Sequence, residues 1–268
     1  LGPNGAGKST TIRLIMGLYR PTDGRARVFG LDATDDGPRV RRRIGYLPGE
    51  LSLYARLTGR ETLDRMGRIR GDVDATYRGE LERRFAAELD RPTKELSKGN
   101  RQKIGLIQAF MHRPDLLVLD EPTSGLDPLL QKEFADLLEE CVQNGATVFL
   151  SSHDLDEVQR LAHQIAIIRE GRVVTVDTVQ GLRDKAPRTI ELTFRVPVDT
   201  ARFARLTGVA ISSEMGRRIT LTVEGEVGPV LAAALPLDVV DIVARPADLD
   251  ELFRRYYSTR SEADSLVG

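Results

Sequence analysis

The chain is short of several things at once. It has one cysteine, Cys141, no tryptophan, three histidines and few aromatic residues, 6 Tyr and 8 Phe among 268 positions. A single cysteine excludes an intrachain disulfide and any site of clustered thiolates, which fits a reducing compartment. No apolar run approaches the ~18 residues that cross a bilayer as a helix. Excess charge of either sign is missing too: 39 Lys and Arg stand against 40 Asp and Glu, a net charge of −1. A dedicated nucleic-acid binder would ordinarily be basic, so no nucleic-acid partner is expected. There is, however, a 41% hydrophobic content, enough for a sizeable core, in a length that suits one large domain with an appendage.

The first residues carry the sharpest signal. Gly2-Pro3-Asn4-Gly5-Ala6-Gly7-Lys8-Ser9 fits the phosphate-binding pattern G-x-x-x-x-G-K-[ST] without a mismatch. Glycines at 2, 5 and 7 let successive backbone N–H groups converge on an anion, and a helix directly after them points its positive end the same way. Ile12, Ile15, Met16 and Tyr19 recur at helical spacing before Pro21, so a helix is expected over 9–18. Gly2, Asn4, Gly5, Ala6, Gly7, Lys8, Ser9 and Thr10 are the expected nucleotide contacts, Lys8 near the β- and γ-phosphates and Ser9 offering its hydroxyl to Mg²⁺. A mere glycine-rich turn capping a helix would not satisfy every fixed position. The motif normally comes after a strand. The chain opens inside the motif at Leu1, without an initiator methionine, so the sequence is expected to lack N-terminal residues, on the order of a few tens from the size of βαβ units.

Beyond Pro21 the pattern alternates. Strands are expected at 25–29, 44–47, 116–119, 147–150, 164–169 and 172–176, and helices at 97–112, 128–142 and 155–162, with a basic helical run at 39–43. Residues 58–90 read as two polar helices. Arg60, Arg65, Arg68, Arg70, Arg83 and Arg84 ordinarily mark a solvated face there, with a partner or anionic head groups as the alternative. His112 and His163 read as ordinary helix residues. Strands alternating with helices predict an α/β fold with a mainly parallel sheet, closing near 185. From Pro187 the rhythm changes: strand 189–196, helix 200–206, strands 209–213 and 218–223, helix 227–235, strand 239–244 and helix 249–257. That βαββαβ order predicts a ferredoxin-like α+β domain.

Leu116-Leu117-Val118-Leu119 is fully apolar, as in a strand buried on both faces, and runs directly into Asp120-Glu121-Pro122. Acids at the C-terminal end of such a strand sit where α/β sheets bind ligands. Asp120 suits a Mg²⁺-supporting carboxylate, and Glu121 a group that polarises an attacking water.

These pieces together resemble the ATP-binding-cassette (ABC) ATPases. Gly2 to Ser9, Leu96-Ser97-Lys98-Gly99-Asn100, Asp120-Glu121-Pro122, Ser124-Gly125-Leu126-Asp127 and His153 occur in that family's order across residues 1–180. The Leu-Ser-x-Gly element followed by Arg101-Gln102-Lys103 is what separates this family from other phosphate-loop proteins. The resemblance implies a P-loop ATPase core, placed at 1–186 with a helical subdomain at about 50–113; the change of rhythm at Pro187 sets off 187–268 as an accessory domain. The resemblance also implies ATP and Mg²⁺ as ligands, with Lys8, Glu121 and His153 catalytic and Ser9 and Asp120 at the metal. Ser97, Lys98, Gly99 and Asn100 would serve the nucleotide of the opposite subunit, and Ser124, Gly125 and Asp127 would link the two sites. The implied partners are a second ATP-binding subunit and a separate transmembrane permease. The implied location is cytoplasmic, at the inner face of the membrane, in an exporter.

Three features depart from the family pattern. Gly49 stands where a glutamine usually comes after Tyr46-Leu47-Pro48, so coupling to a partner is altered or Glu50 substitutes. Lys98 and Asn100 replace a glycine and a glutamine. The adenine-stacking aromatic normally lies upstream of the phosphate loop. Soluble relatives in DNA maintenance or translation carry coiled-coil insertions, zinc cysteines or a second cassette, none of which is in this sequence. A binding-only subunit is the other alternative, against which stand Lys8, Asp120, Glu121 and His153.

Overall fold

The computed structural model describes residues 1–71, 73–245 and 252–253. Two compact units emerge, one of Leu1–Leu161 with Ile168–Arg172, the other of Ala162–Ile167 with Val173–Gly268.

The first unit is organised by three parallel strands, β3 (Ile44–Leu47), β4 (Leu116–Asp120) and β5 (Thr147–Ser151), with β4 in the middle. Every residue of β4 is buried. Its side chains alternate between two cores, as the two-residue period of a strand requires. Leu116 and Val118 join Ile12, Met16 and Val40, from helices α1 (Lys8–Ile15) and α2 (Gly37–Arg42) and the residue just past α1. Leu117 and Leu119 join the larger cluster with Ile104 of α5 (Lys98–Phe110) and Phe134 of α6 (Pro128–Gln143). Phe110 and Phe134 meet edge to face at 6.2 Å. The same cluster takes in Leu63 of α3 (Gly59–Arg70) and Leu81 and Phe85 of α4 (Ala75–Phe85), so the polar helices share the sheet's core.

Local chemistry sets the helix ends. Thr58 and Glu61 form a capping box on α3, and Asp74, Ser97 and Asp127 cap α4, α5 and α6 by side-chain hydrogen bonds. Helix α1 stops at Ile15, short of the expected Leu18. Gly17 takes a left-handed φ of 62°, and the Leu18 N–H donates to the Arg13 carbonyl at 2.9 Å to close the turn. The expected strand at 25–29 shrinks to β1 (Arg27–Val28), paired with β2 (Leu31–Asp32), a strand the sequence pattern does not mark. His112 and His163 are not in helices: His112 sits in the turn after α5, where Nε2 meets the Ile44 carbonyl at 3.2 Å, and His163 lies in the chain between α7 (Leu155–Leu161) and β6 (Gln164–Arg169).

The arginines at 58–90 are not uniformly a solvated face. Arg70 donates to the carbonyls of Arg41, Arg42 and Ile44. Arg60 pairs with Asp90 at 2.9 Å. Arg84, at the end of α4, bonds Glu133 and takes both oxygens of Glu140, at 2.6 and 2.8 Å, on α6. Helices brought side by side by Leu81 and Phe85 put complementary charges within reach, a proximity that polarity alone does not reveal.

A hairpin of β6 and β7 (Arg172–Thr178) precedes α8 (Val179–Lys185), a short helix capped by Thr178 that the sequence pattern also leaves unmarked. In the second unit, β8 (Arg188–Phe194), α9 (Ala201–Ala204), β9 (Val209–Met215), β10 (Arg218–Val223), α10 (Gly228–Ala234) and β11 (Val239–Ala244) build one antiparallel sheet, order β11-β8-β10-β9. Ile190, Leu192 and Phe194 alternate inward beside Ile219, Leu221 and Val223, covered by Phe203 and Val230. The expected helix at 249–257 lies outside the described residues except at 252–253.

The Glu140 carboxyl is held below its usual range by its hydrogen bonds to Arg84. A depressed carboxylate pKa contributes stability above the unfolded-state value and loses it as pH falls through the folded-state value. Arg84→Gln is expected to cost about 1–2 kcal/mol at pH 7, because both acids keep some solvent. In thermal denaturation the difference from wild type should shrink as pH falls through the acid range in which Glu140 protonates. A gap that stays constant with pH would assign the loss to packing.

Candidate nucleotide-binding site

The phosphate loop is shaped by its glycines and braced by the hairpin tip. Gly7, the residue before α1, has φ 105°, and a Cβ there would stand 3.3 Å from the Gly171 Cα, so only glycine fits both backbone and space. The Gly171 N–H donates to the Ala6 carbonyl at 2.8 Å, and the Ile168 N–H to that of Leu1 at 2.9 Å. No side chain caps the N-terminus of α1, and its first turn holds no acid. Its leading N–H groups thus present an uncompensated positive end, which suits an anion. Ala6 and Gly2 are buried, Ser9 half-buried, and Asn4, Gly5 and Thr10 exposed.

Lys8 folds back over this loop. Its Nζ donates to the Gly2 carbonyl at 2.6 Å and the Pro3 carbonyl at 3.3 Å, and lies 3.7 Å from Glu121 Oε1. Glu121, the residue directly after β4, has φ 52°, a left-handed conformation that costs a non-glycine residue energy. Its N–H donates to the Ser151 carbonyl at 3.1 Å, and its Oε2 meets His153 Nδ1 at 2.7 Å. Lys8, Glu121 and His153, far apart in sequence, thus converge: a cation suited to phosphate, a carboxylate able to take a proton, and an imidazole able to orient or share it.

Asp120 is 4% exposed and accepts from the Ser151 hydroxyl. Ser151 carries no motif of its own, yet it is directly opposite Asp120 in the parallel register, each ending an apolar strand. That shared position is the signal that could have found it. Gly49 approaches the same carboxylate: a Cβ there would lie 3.1 Å from Asp120 Oδ2. A side chain at 49 therefore requires Asp120 to give way, while Glu50 beside it is exposed. Burial and the Asp120 charge push the Tyr46 hydroxyl's pKa up. Glu157, likewise without a sequence signal, is buried and bonded by the Ser152 hydroxyl, and burial raises its carboxyl.

A second cluster gathers around the tip of α5. Ser97 Oγ accepts from the Asn100 N–H at 3.1 Å. Lys98 Nζ donates to Ser124 Oγ at 3.1 Å, and Gly99 lies so near the Gly125 carbonyl that a Cβ would come to 2.6 Å. The Asn100 side chain is taken up within the chain, accepting from the Glu88 N–H at 2.8 Å and donating to its carbonyl at 2.7 Å. Asp127 is likewise engaged, accepting from the Leu130 N–H at 3.0 Å. Among the described residues, no hydrogen bond or ion pair joins Ser97–Asn100 to the phosphate loop.

Comparison with known proteins identifies the family. The ABC transporter family model matches residues 1–124. The daunorubicin/doxorubicin resistance ATP-binding protein DrrA of Streptomyces peucetius is 43% identical over 193 residues, 68% of this chain and 57% of that protein, so the chain spans little more than half of that relative. The daunorubicin resistance ATP-binding protein DrrA3 of Streptomyces coeruleorubidus is 34% identical over 266 residues, covering 94% of this chain and 84% of that one. A solved structure described as the ATP-binding subunit of an ABC transporter superposes with a TM-score of 0.64 at 34% identity, over 68% of this chain and 78% of the other. With relatives of this identity and coverage, the chain belongs to the ABC transporter ATP-binding proteins.

Proposed function

We propose that this chain binds and hydrolyses ATP as the nucleotide-binding subunit of an ABC exporter whose membrane-spanning part is a separate permease. The observation that carries the reading is the meeting of Lys8, Glu121 and His153 at the mouth of the phosphate loop. Lys8 now satisfies the Gly2 and Pro3 carbonyls and would turn to the β- and γ-phosphate oxygens of a bound triphosphate. Glu121 would take the proton from the water whose oxygen attacks the γ-phosphorus, releasing ADP and phosphate, and His153 would hold that carboxylate's orientation and touch the γ-phosphate. The Ser9 hydroxyl and the Asp120 carboxylate would hold Mg²⁺. Asp120 fits that role, being buried with one oxygen fixed by Ser151 and the other toward Gly49. Among the described residues no group of three acids or histidines could hold a metal, so phosphates and water would complete the shell, as is usual for this ion. When bound, the metal neutralises charge on the β- and γ-oxygens.

The site is completed in this reading by a second copy. Ser97 and Gly99 sit at the positive end of a 13-residue helix without an acid in its first turn, ready for the γ-phosphate held by the other subunit's Lys8. Ser124, Gly125 and Asp127 would connect the paired sites, Lys98 and Asn100 supporting the tip through Ser124 and Glu88. A cassette of similar fold, MJ0796, 23% identical with a TM-score of 0.61, has been solved as a dimer bound to ADP and Pi. We assign residues 1–186 to the ATPase domain, its helical part at about 50–113, and 187–268 to an accessory domain. The antiparallel order β11-β8-β10-β9, two helices between the strands, supports a ferredoxin-like fold there. Among the described residues no helix is long and apolar enough to cross a membrane, which is compatible with a subunit peripheral to the cytoplasmic face, held by its permease. Export as the direction rests on relatives described as drug-resistance and Nod factor export proteins.

In the whole protein, Glu121→Gln is expected to lower ATP turnover by roughly 10²–10⁴-fold with nucleotide binding kept, the range for removing a general base. Wild type turning over no faster than that variant would make this a binding-only subunit. Composite sites predict complementation as well. Lys8→Ala and Ser97→Ala should each be inactive alone, yet a mixture should regain about a quarter of wild-type turnover, since half the dimers carry one intact site. No recovery, with both variants dimerising, would place the two residues in one subunit's site.

A further inference from the structure

Gln102 lies one turn into α5, on the helix that Ser97 caps, and is 6% exposed. Its Nε2 donates to the Pro122 carbonyl at 2.9 Å and reaches the Glu121 carbonyl at 3.4 Å. Glu121 is the residue with the unfavourable φ of 52°. Such a conformation persists only where the surroundings over-determine it. Here the Glu121 N–H is anchored on the Ser151 carbonyl at 3.1 Å, and its carbonyl accepts from the Ser124 N–H at 3.2 Å and from Gln102. One anchor therefore comes from the sheet, one from the turn itself and one from α5. The same helix touches that turn twice more, through Lys98 on Ser124 and the Gly99 backbone against Gly125.

We infer that Gln102 is a positioning residue for Glu121. It fixes the backbone from which the carboxylate reaches Lys8 and His153, and so makes the aim of that carboxylate depend on where α5 sits. The inference rests on the reading of Glu121 as the base that activates water. A buried glutamine that only fills space and satisfies a carbonyl would affect stability without separating catalysis from binding, and the two roles therefore diverge on measurement.

The test uses the whole protein with three substitutions. Gln102→Met keeps length and volume without a donor, Gln102→Glu keeps shape but turns an acceptor toward two carbonyls, and Gln102→His restores an N–H at similar reach. Gln102→Met is expected to lower kcat roughly 10- to 100-fold, the scale of a misaligned reacting group, with KM for MgATP and Kd for MgADP within about twofold of wild type. Gln102→Glu should behave alike, and Gln102→His should recover part of the loss. Turnover of the Met variant within about twofold of wild type, or a parallel loss of nucleotide affinity, overturns the positioning role. Should the Met variant unfold by circular dichroism, the Glu variant is read by the same criteria against the His variant. Glu121→Gln run alongside separates the two readings: if it matches wild type, the assignment of Glu121 fails, whereas if it is inactive and Gln102→Met is not slowed, only the role of Gln102 fails.

Discussion

Strand β4 is buried along its whole length, and the two cores of the first unit are built on its opposite faces. A strand held on both sides cannot shift by one residue without sending every side chain to the wrong core. The residues at its C-terminal end are therefore held to a fraction of a residue spacing. Asp120 is still inside the sheet and bonded to Ser151, and Glu121 is the first residue past the edge. The placement of Asp120 and Glu121 inherits its precision from Leu116, Leu117, Val118 and Leu119, buried apolar side chains with no polar group to offer a ligand.

The left-handed turn at Glu121 is the cost of that arrangement. It swings the carboxylate off the strand axis toward Lys8 on α1 and His153 beyond β5, two residues delivered by different loop-to-helix connections. Lys8 meanwhile is held by the Gly2 and Pro3 carbonyls, two bonds of modest net energy that it can exchange for other acceptors.

The departures from the family pattern have different weights once placed. Lys98 points to Ser124 and Asn100 to Glu88, so both fit into contacts around the tip of α5 and leave Ser97 and Gly99 presented. Gly49 is more consequential, because it removes a side chain beside Asp120, in a space where even a Cβ is tight. The neighbouring Glu50 does not fill that space, being exposed.

Much of this is readable as a string of letters. The phosphate loop, the apolar strand ending in two acids, the capped tip at Ser97 and the period-two strands 188–194 and 218–223 are local patterns, each dictated by the φ of a glycine, a cap or an alternation of side chains. The shortening of α1 and the pairing of β1 with β2 escape such a reading because the competing turns differ by little in local preference. Other facts have no local trace. Arg84 looks like any surface arginine until α4 and α6 lie together, His112 meets Ile44 across 68 positions of sequence, and Gln102 becomes a brace only because α5 passes beside Pro122. Residue order could single out Lys8, Glu121 and His153 as candidates, since each side chain has its own chemistry; which carbonyl or carboxylate each one meets depended on how helices pack against β4, a matter of distances through space that the linear chain does not contain.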